Sequence, residues 1–172
     1  MLRAFAKLSD KDAMLAIVGS GPEEARLKSL ASELGISERC HFEPSTPEVA
    51  EWLNRIDIFV LPSRTEALSN ALMEAMACSC GAIASRVGGN PELIDDGENG
   101  LLFEVDNVEQ LAGQMEALLA DPARRQRMAA AASAKMSAHF TGPQAAARMQ
   151  EIYESVLLSA QRKGRSAAPS SG

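Results

Sequence analysis

Two carboxylates, Glu66 and Glu74, flank the start of an apolar helical segment that reads PSRTEALSNALMEAMA over residues 62–77. An ionised carboxylate only accepts hydrogen bonds, so it is suited to holding the hydroxyl groups of a ligand. The first backbone N–H groups of a helix have no partner inside the helix, and together with the helix dipole they form an anion site. The segment therefore predicts an anion site at the helix start, with two carboxylates beside it that could accept hydrogen bonds from the protein or from a ligand.

The surroundings of the two glutamates differ. Glu74 has only apolar neighbours in the sequence, which predicts a helix that is buried on every side. A buried carboxylate needs hydrogen-bond donors, and the sequence leaves open whether these come from the protein or from a ligand. Glu66 taken alone is an ordinary exposed carboxylate, but its position between a strand and a helix start favours a functional role. Either Ser69 or Asn70 can cap that helix.

Strand and helix patterns alternate around this segment. Short apolar runs typical of buried strands lie at residues 15–18, 40–42, 56–61, 81–84 and 101–103. Helical patterns lie at residues 22–34, 47–54, 69–78, 91–93, 108–119 and 124–138, and a last one follows residue 141. The alternation predicts an α/β fold with a doubly wound, mostly parallel sheet of about five strands flanked by helices. Ligands of such sheets bind at the carboxyl ends of the strands.

Capping signals mark the starts of two of these helices. Asp106 and Glu109 fit a capping box before the helix at residues 108–119. Thr141 and Gln144 fit the same role for the last helix.

Two further loops follow predicted strands and contain glycine. Gly19-Ser20-Gly21-Pro22 favours a tight turn into a helix over a phosphate loop, because the two glutamates that come next would repel a phosphate. The loop at residues 86–92 contains Gly88 and Gly89, which permit a tight turn into a short helix.

Composition and charge restrict the classes of function. The 172 residues carry a formal net charge of −6, which argues against a nucleic-acid surface and against a polybasic membrane patch. The number of cysteines is odd, and no second group of cysteines or histidines accompanies the Cys-x-Cys pair of Cys78 and Cys80. We therefore predict small buried thiols and no metal site. No secretory signal or membrane span is visible, which leads us to expect a cytoplasmic protein, with the inner face of the membrane left open.

The order of motifs resembles the C-terminal domain of glycosyltransferase family four, whose members have the two-domain GT-B fold. Glu66, seven intervening residues and Glu74 are similar to the paired-glutamate signature of that family. LAIVGSGPEEARLKSLASELGI, IDIFVLPS and VGGNPELIDDGENGLLFEVDN resemble the segments around the signature, and HFTGPQAAARMQEIYESVL is similar to the closing helix. The resemblance covers residues 2–158.

The resemblance implies a role for each matching residue. Glu66, the catalytic candidate, would contact hydroxyls of the donor sugar, and Glu74 would accept hydrogen bonds from the ribose. The diphosphate and the base would be held by two further groups of donor-binding residues: Ala67, Leu68, Ser69 and Asn70 at the helix start, and Phe42, Glu43 and Pro44 in the base loop. Such enzymes transfer the sugar with retention and without a cofactor or metal, and their donors are UDP or GDP sugars.

Three positions depart from the family pattern. Ala67 stands where glycine is usual, so a positive φ angle there would be strained. Ser79-Cys80-Gly81 stands in place of a Gly-x-Pro turn. Pro44 stands where the base loop usually has glycine, and proline offers no backbone N–H.

The resemblance also implies parts that this sequence lacks: a first strand, a loop with an Arg and a Lys for the diphosphate, and an acceptor-binding domain. We expect residues 1–160 to form the donor-binding domain, residues 161–172 to be a disordered tail, and the chain alone to be inactive. The implied partners are a nucleotide sugar and the missing domain. We expect no nucleic-acid partner, and any contact with a membrane would be made by the missing domain. A non-catalytic nucleotide- or partner-binding module and a nucleotide-sugar epimerase are the alternatives.

Overall fold

The computed structural model describes residues 1–140 and residue 142. The predicted last helix with its caps Thr141 and Gln144, and the predicted tail, lie outside the described residues. The chain divides into two compact units, of which the first is Met1–Ala134 and the second begins at Lys135. The first unit contains every strand of the described residues and the whole candidate site.

The strands and α-helices from residue 15 onward follow the predicted alternation, and their ends differ from the predicted ones by no more than two residues. The strands are β1 (Leu15–Val18), β2 (Cys40–Glu43), β3 (Ile58–Leu61), β4 (Gly81–Ser85) and β5 (Leu101–Phe103). The helices are α1 (Leu2–Phe5), α2 (Glu24–Glu33), α3 (Val49–Leu53), α4 (Asn70–Ala77), α5 (Asn90–Leu93), α6 (Val108–Ala120) and α7 (Pro122–His139). Among the described residues, no helix has both the length and the apolar run needed to cross a bilayer.

The strands pair in parallel, but they form two hydrogen-bonded ladders. One ladder joins β1 to β2, and the other has the order β3-β4-β5. Both ladders contribute to one apolar core, which includes Ile17 and Phe42 from the first ladder and Val60 and Ile83 from the second. The predicted α/β class, the parallel pairing and, within residues 1–140, the number of strands are therefore confirmed, whereas the expected single sheet is divided between β1 and β3.

Helix α6 covers the core with the predicted apolar face, since Leu111, Met115 and Leu118 are buried. Its cap differs from the prediction by one residue. The side chain of Asn107 accepts a hydrogen bond from the Gln110 backbone N–H at 3.0 Å. Asp106, the predicted cap, has a φ of 61° and lies in the left-handed region, so the helix is capped by the residue that follows it.

Helix α4 ends in a left-handed residue that is serine rather than glycine. Ser79 has a φ of 60°. Its N–H donates to the Met76 carbonyl at 3.1 Å, and the Cys80 N–H donates to the Ala75 carbonyl at 3.0 Å. This is the Schellman arrangement, in which glycine is the usual residue because it has no Cβ to strain. Ser79 therefore performs the glycine's structural role at a cost in free energy.

We expect Ser79→Gly to raise the free energy of unfolding by about 1 kcal/mol, because it relieves the strain of a side chain in the left-handed region. Thermal and urea unfolding of the chain would measure the change. Ser37→Gly, at the first residue of a 3-10 turn with an ordinary negative φ, is the matched control and should lower stability. An equal loss of stability in both variants would contradict this account of the turn.

The two cysteines of the Cys-x-Cys pair differ in exposure, which only partly agrees with the prediction of small buried thiols. Cys80 is buried, and its thiol donates to the Leu53 carbonyl at 3.2 Å, whereas Cys78 is half-buried. Burial, with smaller contributions from Cys78 and Asp57, raises the pKa of the Cys80 thiol from its ordinary 9.0 to about 11.

The raised pKa of Cys80 predicts a pH dependence of stability. The folded state disfavours the Cys80 thiolate more than the unfolded state does. The free energy of unfolding therefore keeps its full value below pH 9 and falls as pH rises from 9 towards 11. Urea unfolding across this range should show that loss in the wild type. The fall should be smaller in Cys80→Ala, which has no thiol to ionise at this position. Parallel pH profiles for the two proteins would show that Cys80 does not contribute.

Candidate functional site

The candidate site lies at the carboxyl ends of β3 and β4. Residues 62–69 connect β3 to α4, and residues 86–89 connect β4 to α5. Ligands of parallel α/β sheets bind at this end of the strands because the connecting loops meet there.

The start of α4 presents unpaired backbone donors. Ser69 is buried and extended, and its side chain accepts a hydrogen bond from the Leu72 N–H at 3.3 Å, so Ser69 is the cap and Asn70 is the first helical residue. The backbone N–H groups of Leu68, Asn70 and Ala71 donate no hydrogen bond within residues 1–140. These free donors stand at the positive end of the helix dipole and can bind an anion such as a phosphate.

Glu74 is exposed, so the predicted burial on every side is wrong. The buried face of α4 is a single stripe of Leu72, Ala75 and Met76. Of the other apolar neighbours of Glu74, Ala71 and Ala77 are exposed and Met73 is half-buried, and single apolar side chains at a protein surface are normal. In the part of the chain that the structure describes, the Glu74 carboxylate has neither a hydrogen bond nor an ion pair with a protein group. Its acceptor capacity is available to a ligand.

Glu66 is half-buried and oriented by one neighbour. The Ser63 hydroxyl donates to Oε1 of Glu66 at 2.7 Å. No lysine or arginine forms a salt bridge with Glu66 among the described residues. A carboxylate with one neutral donor keeps most of its lone pairs free, so Glu66 can accept further hydrogen bonds from ligand hydroxyls.

The glycines after β4 allow two backbones to meet. A Cβ on Gly88 would overlap the Glu66 carbonyl oxygen, and a Cβ on Gly89 would overlap the Ala67 carbonyl oxygen. The Gly89 N–H donates to that Ala67 oxygen at 2.7 Å. The sequence predicted a tight turn at these glycines but missed this close approach, which fixes the loop that carries Glu66.

Ala67 does not have the strain that the departure from glycine predicted. Among the described residues other than glycine, a positive φ occurs only at Ser79 and Asp106. Ala67 therefore adopts a backbone conformation that any residue can adopt, and its carbonyl is held by Gly89.

The predicted base loop lies at the ends of β1 and β2. A cavity of about 240 Å³ is bounded by Phe42, Ile17, Leu27 and the loop at residues 19–24. Phe42 therefore lines the cavity, while Glu43 and Pro44 do not. The Glu43 carboxylate lies 3.0 Å from Nε2 of His41 instead.

The two loops beside this cavity are tied together. The Ser20 N–H donates to the Ser45 hydroxyl at 3.1 Å, and the Ser45 N–H donates to the Ser20 hydroxyl at 3.0 Å. The Gly19 N–H also donates to the Glu43 carbonyl at 2.9 Å. The Gly19–Pro22 segment is thus a strand-to-helix connection, as predicted, and in addition one wall of the cavity.

Most of the predicted site residues lie together in the loop after β3 and at the start of α4. They are Glu66, Ala67, Leu68, Ser69 and Asn70. Sequence reasoning missed Ser63, Ser85 and Asn90, which hold this loop through one buried and two partly buried hydrogen bonds. The only local signal was a hydroxyl three residues before Glu66, a spacing that is too common to single out.

Comparison with known proteins identifies the family and the fold of this chain. Residues 1–135 match the family model described as glycosyl transferases group 1. N-acetyl-alpha-D-glucosaminyl L-malate synthase of Bacillus anthracis is 35% identical over 158 residues, which cover 91% of this chain and 42% of that protein. The chain thus spans less than half the length of this relative.

Two solved structures share the fold. HepE of Anabaena in complex with UDP superposes with a TM-score of 0.83 at 23% identity, over 90% of this chain and 44% of that one. The C-terminal domain of the group 1 glycosyl transferase LpcC of Francisella tularensis superposes with a TM-score of 0.76 at 24% identity, over 82% of this chain and 77% of that one. This chain belongs to the glycosyl transferases group 1 family and has the Rossmann-like fold of the C-terminal domain of its GT-B members.

Proposed function

We propose that this chain is the donor-binding half of a retaining glycosyltransferase, which moves a sugar from a nucleotide-diphosphate sugar to an acceptor. The observation that carries the proposal is the start of α4, where free backbone N–H groups lie between two carboxylates that have no cationic partner in the described residues. Such a site can hold an anion and, on either side of it, hydroxyl-bearing groups. A diphosphate between a ribose and a sugar has this chemistry.

Each group then has a role. The amides near Leu68, Ser69 and Asn70 bind the diphosphate, Glu74 accepts hydrogen bonds from the ribose, and Glu66 accepts them from the sugar. In the reaction the bond from the anomeric carbon to the diphosphate breaks, a bond to the acceptor oxygen forms, and the proton of the acceptor hydroxyl passes to an oxygen of the departing diphosphate. The helix start stabilises the charge that develops on the leaving diphosphate, because its dipoles are already oriented. We propose that no metal or cofactor is required.

The nucleotide base is assigned to the cavity beside Phe42. Its walls at Ile17, Leu27 and Phe42 are apolar, as a base-binding pocket usually is. Glu43 and Pro44 follow Phe42 in the chain, and we propose that they form the outer edge of the base site. UDP is the first nucleotide to test, because HepE has been crystallised with it, and GDP is the second.

We propose that the full-length protein places a further parallel strand between β1 and β3. In doubly wound sheets a helix connects two neighbouring parallel strands by a right-handed crossover. Helix α1 leads into β1. Within residues 1–140, the edge of β1 that faces away from β2 has no strand partner, and neither has the edge of β3 that faces away from β4. A strand before α1 would pair with both edges and make one continuous sheet.

The rest of the proposal concerns the whole protein. An acceptor-binding domain faces the carboxyl ends of the strands, and the loop after the added strand supplies the cations for the diphosphate. Residues 1–160 form the donor half, and the protein acts in the cytoplasm. Without these parts the isolated chain should bind donor weakly and transfer nothing.

A transfer assay on the full-length protein and on this chain tests the proposal. We expect the full-length protein to turn over a nucleotide sugar, to retain the anomeric configuration as seen by NMR, and to do so without added metal. The chain alone should show no turnover. An inverted product would contradict the retaining assignment, and nucleotide binding without turnover in the full-length protein would favour the non-catalytic module.

A further inference from the structure

The Glu66 carboxylate has one protein partner within the described residues, the hydroxyl of Ser63. A carboxylate can only accept, so the single hydroxyl proton of Ser63 must point at Oε1 of Glu66, over a distance of 2.7 Å. A charge-assisted bond of this kind restricts the rotation of the glutamate side chain. Oε2 has no protein donor in residues 1–140 and remains open to a ligand.

Ser63 is itself held from the next strand. The Ser85 hydroxyl donates to the Ser63 carbonyl at 2.6 Å, and Ser85, at the end of β4, is 1% exposed. Because a carbonyl only accepts, this hydroxyl proton is also fixed in direction. The backbone of Ser63 is therefore anchored to the most deeply buried strand of the ladder.

A third buried side chain continues the connection. Nδ2 of Asn90 donates to the Ser85 carbonyl at 3.0 Å, and Asn90 is fully buried at the start of α5. Its Oδ1 has no partner within the described residues. A buried acceptor without a partner lowers stability, so this asparagine is better explained by what it holds than by its own contribution to folding. Three hydrogen bonds thus link Asn90 to Ser85, Ser63 and Glu66 in turn.

We propose that Ser63 is a positioning residue that aims the free oxygen of Glu66 at a hydroxyl of the donor sugar, with Ser85 and Asn90 as its anchor. This inference rests on the proposed function, because it takes the ligand of Glu66 to be a sugar. In this role Ser63 acts on the sugar only through Glu66. It decides whether Glu66 distinguishes a nucleotide sugar from the bare nucleotide.

The test compares the affinities of UDP and UDP-glucose, with GDP and GDP-mannose measured in parallel, for three variants of the chain. Ser63→Ala should weaken binding of the nucleotide sugar about fivefold and leave that of the nucleotide within about twofold, because only the sugar contact depends on an aimed Glu66. Ser63→Thr keeps the hydroxyl and should restore the difference. Thr65→Ala, an exposed hydroxyl in the same loop, is the matched control and should change neither affinity.

Equal weakening of the affinities for both ligands by Ser63→Ala would show a merely structural role and overturn the proposal. No change in either affinity would overturn it as well.

A second measurement needs no ligand: three-bond couplings of Glu66 report its side-chain rotamers. We expect one rotamer in the wild type and in Ser63→Thr, and averaging in Ser63→Ala. Averaging already in the wild type would overturn the role of Ser63. Failure of the wild type to bind any nucleotide would count against the proposed function, while the couplings would still decide the role of Ser63.

Discussion

Gly88→Ala should destabilise the chain by about 3 kcal/mol and displace the loop that carries Glu66. The cost has two sources. Gly88 has a φ of 51°, where an L side chain is strained by about 1–2 kcal/mol. The new Cβ would also overlap the Glu66 carbonyl oxygen, and a backbone atom cannot turn aside as a flexible side chain can. Relieving the overlap requires the two loops to separate, which moves Glu66 away from the start of α4.

Urea unfolding and ¹⁵N chemical shifts would measure both effects of Gly88→Ala. Gly97→Ala is the matched control, because Gly97 has a φ of 87° but a Cβ there meets no atom within 4 Å. The control should show the backbone strain alone, with unchanged shifts at Glu66. If the two variants lost equal stability, the close approach of the two loops would have no energetic weight.

If the proposed function holds, Glu66→Gln in the full-length protein should lower the rate of nucleotide-sugar turnover about a hundredfold or more, because it removes the charge that we propose acts at the reacting sugar. The amide keeps the size of the side chain and can still pair with Ser63, so folding should be unaffected. Release of nucleoside diphosphate from the nucleotide sugar, with water as acceptor, would measure the rate without knowledge of the natural acceptor.

Glu98→Gln, an exposed carboxylate in the turn before β5, is the control for the loss of one charge and should leave turnover unchanged. A Glu66→Gln protein that kept a wild-type rate would remove Glu66 from the catalytic role. A loss limited to the affinity for donor, with no change in the maximal rate, would make Glu66 a binding residue only.

Local patterns in the sequence were sufficient for the elements. Strands with unbroken apolar runs, such as β4, and helices with a clear cap, such as α4, were predicted with ends within two residues, because hydrogen bonding and burial within each segment decide them. The prediction of the α6 cap was wrong by one residue because Asp106 and Asn107 are both good capping residues. Only the positive φ of Asp106 shows that Asn107 is the cap.

Features that depend on distant parts of the chain were not predicted. The Ser85–Ser63 hydrogen bond joins residues 22 apart, and nothing in either segment indicates the other. The exposure of Glu74 depends on which side of α4 meets β4, and its alanine neighbours fit either a buried or an exposed face. The division of the sheet between β1 and β3 also lies beyond the sequence patterns, since it depends on pairing across the whole domain.

The most direct test of the central claim is an NMR titration of the ¹⁵N-labelled chain with UDP, GDP and ADP, repeated on Glu74→Ala. The method detects millimolar binding, which is the affinity expected of a donor site without its cations. We predict shifts confined to residues 66–75 and the loop after Phe42, with one preferred base, and their loss in the variant. No shift with any of the three nucleotides, or the same shifts in Glu74→Ala, would contradict the claim that the start of α4 is a nucleotide-sugar site.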